Sequence, residues 1–282
     1  MSPAVKADLK PGDTLGSYRL EEQLGEGAMG CVFRAYREGS DDPVALKVVR
    51  LELADDIRYR KRFLHEARAA SEVKHRHLVD VLDAGEVDGR QFLAMRFVRG
   101  RMLESHIRED GPMAVSEIVR IVSEIGGALD ALHAGGVVHR DIKASNIMLD
   151  EDDGHAAALT DFGLAKGLGY DALTRPGQIL GTLDYLAPER IRGEQASPAS
   201  DIYGLGCVVY ECVTGMPPFG SKGAMEAAFS HLEEQPADPS QKRKDLPRGF
   251  GAAVNAALEK DPNDRPHAAQ AYADLLRAAF GG

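Results

Sequence analysis

The first hundred residues alternate between apolar and polar positions in short runs. These runs cover residues 18–24, 32–36, 44–47, 78–82 and 91–98. Alternation of this kind, with β-branched and aromatic side chains, is typical of β-strands. The segment at about 56–73 has helical spacing instead, and Asp55 or Asp56 is its expected N-cap.

The pattern becomes helical from residue 116 onward. Residues 116–133 carry apolar side chains at helical spacing, and Ser116 can cap the start of this helix. Residues 201–212 predict a second apolar helix, and further helical patterns continue to about residue 279. Residues 164–186 are polar, rich in glycine and too long for a passive connection, so we expect a functional segment there.

A polar segment between two short apolar runs carries side chains suited to catalysis. It covers residues 139–146 (HRDIKASN), and the runs at 136–138 and 147–149 are expected to be strands that hold it at both ends. Asp141 can accept a proton, Lys143 can neutralise phosphate charge, and Asn146 can bind a hard cation through its amide oxygen. We therefore expect a catalytic loop at this position.

Three glycines at positions 25, 27 and 30 form a GxGxxG pattern. Dinucleotide-binding folds carry this pattern too, but they place it before a helix. Here a strand-like run follows, which predicts a glycine-rich hairpin whose backbone N–H groups can approach phosphates closely. Lys47 lies within the next apolar run, and a buried lysine requires a partner.

The acidic residues 150–153 are followed by Gly154, an arrangement that has some likeness to a calcium-binding loop. The glycine comes one place early for an EF-hand, and no glutamate follows at the required distance. We therefore expect a solvated hairpin turn here.

Composition excludes several classes of protein. The 282 residues carry a formal net charge of −10, so we expect no general affinity for nucleic acid. One stretch, residues 55–77, is locally basic, and we interpret it first as a solvated helix face. The three cysteines form no CxxC pair, which favours a reducing cytoplasm and no structural metal. No apolar run has the length of a membrane span, and no signal peptide is evident.

Six motifs follow one another in a characteristic order. They are GEGAMGCV at 25–32, VALK at 44–47, HRDIKASN at 139–146, DFG at 161–163, APE at 187–189 and DIYGLG at 201–206. Together they resemble the catalytic domain of bacterial eukaryotic-like (Hanks-type) serine/threonine protein kinases. The resemblance implies an α+β, two-lobed fold. A flexible tail at 1–17 would precede a small β-rich lobe with one main helix at 18–98 and a larger, mostly helical lobe at 99–280.

The chain departs from the family pattern at two positions. Ala144 and Arg76 stand where proline is usual. Neither change removes a catalytic atom, so both bear on loop stiffness rather than on competence for catalysis.

The resemblance also assigns the residues that bind ATP. Lys47 would hold the α and β phosphates and Glu66 would pair with it, although Glu66 could also be a surface acid that balances Arg62 or Arg68. Met95 would line the back of the adenine pocket. The backbones of Arg96 and Val98 would meet the adenine edge. The whole implied set is Leu24, Gly25, Glu26, Gly27, Ala28, Met29, Gly30, Cys31, Val32, Ala45, Lys47, Met95, Arg96, Val98 and Met148.

In such kinases the catalytic loop acts together with divalent metal. Asn146 and Asp161 would bind Mg²⁺, with Mn²⁺ as an alternative. Asp141 would orient the substrate hydroxyl and accept its proton, and Lys143 would stabilise charge on the γ-phosphoryl group.

Three further residues have structural roles in the family. Glu189 would pair with Arg265, and Asp201 would anchor the backbone of the catalytic loop. This pair argues against a small-molecule kinase of related fold, such as an antibiotic phosphotransferase.

The resemblance further implies that the segment after residue 163 regulates activity. Thr182 would contact Asp141 and Lys143 near the substrate, which leaves Thr174 as the Ser/Thr candidate for autophosphorylation. Arg140 and Lys166 would bind the Thr174 phosphate.

The implied function is ATP-dependent phosphorylation of Ser/Thr in protein substrates. A pseudokinase scaffold is the alternative, although such proteins usually lack one of Lys47, Asp141 or Asp161. A weak homodimer through the small lobe is a further expectation. We expect a cytoplasmic location, either for the chain alone or as the cytoplasmic domain of a longer membrane-anchored kinase.

Overall fold

A computed structural model describes residues 9–27, 30–50, 57–161 and 183–281. The chain divides into two compact units. The first takes its described residues from Met1–Ser71 and Asp80–Val98, and the second from Glu72–Val79 and Arg99–Gly282.

The first unit is built on one antiparallel sheet. Its strands are β1 (Thr14–Leu15), β2 (Tyr18–Gly27), β3 (Gly30–Arg37), β4 (Pro43–Val49), β5 (Val81–Val87) and β6 (Arg90–Arg96). They lie side by side in the order β1-β2-β3-β4-β6-β5. Helix α1 (Ile57–Glu72) follows β4 in the chain.

One face of this sheet carries an apolar core, because side chains alternate in direction along each strand. In β4, Val44, Leu46 and Val48 are buried in that core. Ala45 and Lys47 are half-buried on the opposite face of the strand. The alternation therefore places Lys47 away from the core.

The prediction of a flexible tail at residues 1–17 needs a correction, because residues just before β2 pack against the first unit. Residues 14–15 pair with β2, and Leu15 is only 3% exposed. Leu9 also packs against the core. The tail prediction is wrong for these residues, since burial of their apolar side chains stabilises the folded state.

The strand predicted at 78–82 is found only from Val81, where β5 begins. Leu78 and Val79 belong to the second unit, and Leu78 forms an isolated parallel bridge with Leu159 inside that unit. The Val79 N–H donates to the Leu159 carbonyl at 2.9 Å, and the Leu159 N–H donates to the His77 carbonyl at 2.8 Å. The strand prediction therefore holds only for residues 81 and 82, and the contact of Leu78 with Leu159 could not be read from the local pattern.

The second unit is mostly helical. Its helices are α2 (Leu103–Asp110), α3 (Val115–Ala134), α4 (Pro188–Ile191), α5 (Pro198–Thr214), α6 (Ala224–Glu233), α7 (Pro239–Lys242), α8 (Phe250–Asn255) and α9 (Ala269–Gly281). A small antiparallel sheet contains β7 (Gly100–Met102), β8 (Ile147–Asp150) and β9 (Ala156–Leu159). Within the described part of the chain, no helix combines the length and apolar character needed to cross a membrane.

Helix α5 is the buried centre of the second unit. All its residues from 200 to 213 are buried. Ser197 and Ser200 form a reciprocal capping box at its start, and Gly215 ends it with φ +84°. The apolar helix predicted at 201–212 is confirmed. It begins earlier because Ser197 supplies the cap.

Three local predictions have different outcomes. Ser116 does not cap α3, since the N-cap position belongs to Ala114, which has no side-chain acceptor. Residues 136–138 do not form a strand, and the Val137 N–H instead donates to a carbonyl at the end of α3. The solvated turn at 150–154 is confirmed, with Gly154 at φ +60°. The predicted fold class, α+β with a β-rich and a mostly helical part, is confirmed.

Candidate active site

The catalytic loop is held by the carboxylate of Asp201, near the start of α5. Its Oδ2 accepts the backbone N–H of His139 at 2.8 Å, and its Oδ1 accepts that of Arg140 at 2.8 Å. His133 Nε2 lies 2.8 Å from Oδ2. Asp201 is only 2% exposed, and hydrogen bonds satisfy its buried charge. One carboxylate thus fixes two successive peptide groups of the loop.

His139 joins this loop to the segment that ends at Asp161. Its Nε2 lies 3.1 Å from the Thr160 carbonyl, and the Asp141 N–H donates to its Nδ1 at 3.4 Å. A carbonyl can only accept, so the ring carries its proton on Nε2. Burial lowers the pKa of His139, against the opposing effect of Asp201 and Asp141. A neutral imidazole therefore serves as a fixed spacer.

Asp141 lies close to two other residues of the predicted catalytic loop, Lys143 and Asn146. Lys143 Nζ is 3.3 Å from Asp141 Oδ2, and both side chains are partly buried. Asn146 Nδ2 donates to the Asp141 backbone carbonyl at 2.7 Å. The loop therefore brings Asp141, Lys143 and Asn146 together in the second unit.

Asn146 and Asp161 are the predicted metal ligands. The Asn146 amide turns its nitrogen to Asp141, so its oxygen is on the opposite edge of the group. Thr160 N–H donates to the Asn146 carbonyl at 2.9 Å, which keeps the residue before Asp161 beside Asn146. Asp161 has φ +59° and Arg140 has φ +69°, conformations that residues with a Cβ seldom adopt. The amide and carboxylate oxygens fit a hard cation such as Mg²⁺, which takes few protein ligands when phosphates supply others.

The glycine-rich hairpin of the first unit connects β2 to β3. Gly27 pairs with Gly30 across it. Gly30 has φ +151°, and a Cβ there would overlap the Val48 carbonyl oxygen, so the fold itself requires this glycine. A Cβ at Gly25 or Gly27 would meet nothing within 4 Å. Packing therefore does not explain these two glycines, both of which are exposed.

The sheet register gathers several predicted ATP-binding residues on one face. Val32 pairs with Lys47, and Ala45 pairs with Met95. Directly paired residues of antiparallel strands point to the same side. Cys31 does not join them, because its side chain packs against the core on the other face. Only the backbone of Cys31 is left for a ligand on the Lys47 face.

The other predicted ATP-binding residues are spread over both units. In the first unit, Leu24 is 44% exposed, Met95 and Val98 are buried, and the Arg96 N–H donates to the Asp80 carbonyl at 2.9 Å. In the second unit, Met148 is half-buried in β8.

Glu66 lies on α1, in the same unit as Lys47. It is half-buried, and it is one residue before the fully buried Ala67. Its burial fits a carboxylate turned partly inward better than a wholly solvated surface acid.

The second unit contains a buried ion pair between Glu189 and Arg265. Arg265 Nη1 and Nη2 donate to the two Glu189 carboxylate oxygens, each at 2.8 Å. The remaining N–H groups of Arg265 donate to the carbonyls of Ala199, Glu259 and Lys260. All five N–H donors of this guanidinium are therefore used. The pair fixes the segment that contains Glu189.

The sequence reasoning missed a contact between Tyr185 and Glu211. The Tyr185 hydroxyl donates to Glu211 Oε2 at 2.6 Å, and this joins the segment before α4 to α5. Burial raises the pKa of Glu211 to about 7, with a smaller increase from the charges of Glu104 and Asp184. A signal was present, since a lone glutamate in an apolar helix requires a buried partner.

Arg140 lines a small cavity of about 20 Å³ together with Tyr185, Arg190 and Asp201. The pKa of Arg190 is lowered, first by burial and then by the neighbouring charge of Arg140. Two arginines thus line one cavity. Of the predicted residues, Ala28, Met29, Lys166, Thr174 and Thr182 lie outside the described residues.

Comparisons with known proteins agree with this geometry. A protein kinase domain model matches residues 18–275. The chain is 40% identical over 258 residues to the serine/threonine-protein kinase PknH of Mycobacterium tuberculosis, covering 92% of this chain and 41% of that protein. It is 40% identical over 270 residues to the serine/threonine-protein kinase pkn3 of Myxococcus xanthus, covering 93% of this chain and 49% of that protein. The chain therefore spans less than half the length of these curated relatives.

A solved structure is similar as well. The crystal structure of the Mycobacterium tuberculosis PknI kinase domain matches with a TM-score of 0.78 and 30% identity, over 96% of this chain and 99% of that chain.

Proposed function

The chain belongs to the protein kinase domain family, and we propose that it transfers the γ-phosphoryl group of ATP to serine and threonine hydroxyls of proteins. The observation that carries the proposal is the catalytic loop. Asp141 lies 3.3 Å from Lys143, Asn146 holds the Asp141 carbonyl, and Asp201 fixes the two preceding N–H groups. The side chains that we propose as base, cation and metal ligand therefore lie in one short segment.

In the proposed reaction, the protein positions groups and supplies charge. Asp141 orients the substrate hydroxyl and accepts its proton as the oxygen attacks the γ-phosphorus, while the bond from that phosphorus to the bridging oxygen breaks and ADP leaves. Lys143 balances the negative charge on the transferred group. Lys47, paired with Glu66, binds the α and β phosphates, and the hairpin at Gly25, Gly27 and Gly30 covers them. Bound Mg²⁺ would neutralise phosphate charge.

Asn146 and Asp161 are the residues that would hold this metal ion, with Mn²⁺ as an alternative. Their two oxygen donors suit a cation that keeps phosphate oxygens and water as its other ligands.

We also propose regulation by autophosphorylation at Thr174. Phosphorylation would add about −1.5 to −2 charge, and Arg140 would receive it together with Lys166. The placement of Arg140 beside a second arginine, Arg190, supports an anion at this position, because an anion would relieve the repulsion between them. Mass spectrometry after incubation with MgATP tests this. Absence of phosphate on Thr174, or full activity of Thr174→Ala, contradicts it.

The partners in this proposal are proteins that carry Ser or Thr. A second copy of the chain is a further proposed partner, through a weak contact of the small lobe. On α1, the cationic side chains of Lys61 and Arg68 are exposed, together with the acidic side chain of Glu72. A cytoplasmic location also belongs to this proposal.

The proposed function is tested by radiolabel transfer from ATP. The acceptors are the chain itself, a generic protein substrate and a panel of aminoglycosides. We expect transfer to protein Ser and Thr only. Asp141→Asn should abolish most of it, whereas Asp153→Asn, in an exposed turn of the same unit, should not. Binding of MgATP without any transfer would show a pseudokinase, and labelled aminoglycoside would show a small-molecule kinase.

A further inference from the structure

One side chain links the glycine-rich hairpin to the strand that carries Lys47. Arg50 directly follows β4, three residues after Lys47. Its Nη2 lies 2.6 Å from Glu26 Oε1. Its Nε and Nη2 each donate to the Gly27 carbonyl oxygen at 3.3 Å. The guanidinium therefore holds two consecutive residues of β2.

The link spans the width of β3. Gly30 of β3 pairs with Val49 on one side and with Gly27 on the other. Arg50 therefore reaches from the end of β4, past β3, to β2. The crossing lies at Gly30, which has no side chain.

Among the described residues, side-chain packing adds little to the strand pairing that restrains Gly27. Glu26 and Gly27 are exposed, and no atom lies within 4 Å of a Cβ built at Gly27. Glycine has the largest backbone freedom of any residue, so an unrestrained Gly27 would lose much entropy when a ligand orders it. A peptide group is planar, so a carbonyl that is held in place holds its whole peptide group. Arg50 thus supplies a restraint that packing does not.

The ion pair with Glu26 defines how Arg50 acts. The Glu26 carboxylate balances the charge of the guanidinium and fixes its orientation towards the Gly27 carbonyl. Arg50 therefore acts by orienting backbone rather than by adding net positive charge at the phosphates.

We propose that Arg50 is a positioning residue for ATP, which preorganises the glycine-rich hairpin by holding the Gly27 carbonyl. The inference rests on the proposed function, because it assigns the phosphates of ATP to this hairpin. The hairpin then loses its conformational entropy already in the free protein. ATP binding does not have to order it, and the affinity for ATP is higher for that reason.

The experiment uses Arg50→Ala with Arg34→Ala as a matched control. Arg34 lies on β3, its Nε is 2.7 Å from Glu21 Oε2, and its side chain is 35% exposed, against 43% for Arg50. Both arginines pair with a glutamate of β2, but only Arg50 reaches a glycine carbonyl. Exposed pairs of this kind contribute little to stability, so both variants should fold.

The expected result is specific for ATP. Arg50→Ala should raise KM for ATP about five- to tenfold, as expected for the loss of roughly one ordinary hydrogen bond, and weaken equilibrium binding of MgATP by a similar factor. kcat at saturating ATP and KM for the protein substrate should stay near wild type. Arg50→Lys should recover part of the affinity, since an ammonium group can still donate to the Gly27 carbonyl. Arg34→Ala should keep the wild-type KM for ATP.

Other results overturn the proposal. An unchanged KM for ATP in Arg50→Ala, or an equal increase in Arg34→Ala, shows that the link does not position the hairpin. A lowered melting temperature with unchanged ATP affinity shows a structural role only. If the wild-type chain transfers no phosphate, the proposed function fails, and the MgATP binding comparison still decides the role of Arg50.

Discussion

Arg265 and Glu189 form a bidentate ion pair in which both residues are almost fully buried, at 2% and 3% exposure. The two residues are separated by 76 positions in the chain. Because every N–H of the guanidinium has an acceptor, the pair joins the segment around Glu189 firmly to the chain near Arg265.

Arg265→Met should destabilise the protein strongly. Removal of one partner leaves the Glu189 carboxylate buried without its counter-charge, which costs about 3–5 kcal/mol. Urea denaturation measures this loss. Arg277→Ala is the control, because Arg277 pairs with Asp274 on the surface and should change the free energy of unfolding by less than about 1 kcal/mol. Equal stability of Arg265→Met and wild type would show that the pair contributes nothing.

Asp201→Asn should lower kcat. Asparagine offers one acceptor oxygen instead of two, so one of the N–H groups of His139 and Arg140 loses its partner. We expect kcat to fall about ten- to hundredfold as Asp141 loses its position. Steady-state kinetics measure this.

The control for this prediction is Asp130→Asn. Asp130 also accepts two consecutive backbone N–H groups, those of Ala269 and Gln270, at 2.8 and 3.0 Å. Its loss should affect stability but not kcat. Equal kcat values for the two variants would remove the positioning role from Asp201.

Sequence patterns predicted local structure better than tertiary contacts. The strand predicted at 44–47 is confirmed as part of β4, because strand periodicity depends only on neighbouring residues. The pairing of Leu78 with Leu159 could not be predicted this way, since it joins positions far apart in the chain.

The residues of the candidate site show the same difference between local pattern and tertiary contact. Asp141, Lys143 and Asn146 lie in one short segment, so their chemistry was visible in the sequence. The roles of Glu189, Arg265 and Asp201 came from the resemblance to known kinases and not from local pattern. The contact between Tyr185 and Glu211 was not predicted, because the sequence around each residue does not indicate which distant residue it contacts.

Asp161→Ala should weaken binding of nucleotide only when magnesium is present. Ligand binding raises the melting temperature by mass action, so MgATP should stabilise wild type more than Asp161→Ala. In EDTA, ATP should shift both proteins equally. Asp264→Ala, an exposed aspartate of the same unit, is the control and should keep the wild-type shift. Equal shifts of wild type and Asp161→Ala with MgATP would exclude Asp161 from metal binding.

Lys47→Met should abolish most activity while the fold is retained. Lys47 is half-buried on the sheet face away from the core, so loss of its charge should not disturb the packing of Val44, Leu46 and Val48. Kinase assays and circular dichroism measure the two properties. Near-native turnover at saturating MgATP would contradict the proposed contact of Lys47 with phosphate.

The stability of the protein should depend on pH through Glu211. Its pKa is raised from 4.5 to about 7 in the folded state, mainly by burial. The folded state therefore keeps a proton that the unfolded state releases between pH 4.5 and 7, and the stability from this group is fully present below pH 4.5 and is lost as pH rises through about 7. The shift corresponds to a loss of up to about 3 kcal/mol.

Glu211→Gln cannot ionise, so the free energy of unfolding should fall less with rising pH in this variant. Tyr185→Phe removes the hydrogen bond that lowers the pKa of Glu211 and should move the transition to higher pH. Urea denaturation at pH 5, 6, 7 and 8 measures both effects. Parallel profiles of the free energy of unfolding against pH for wild type and Glu211→Gln would contradict the prediction. They would show that Glu211 ionises in the folded protein as it does in the unfolded chain.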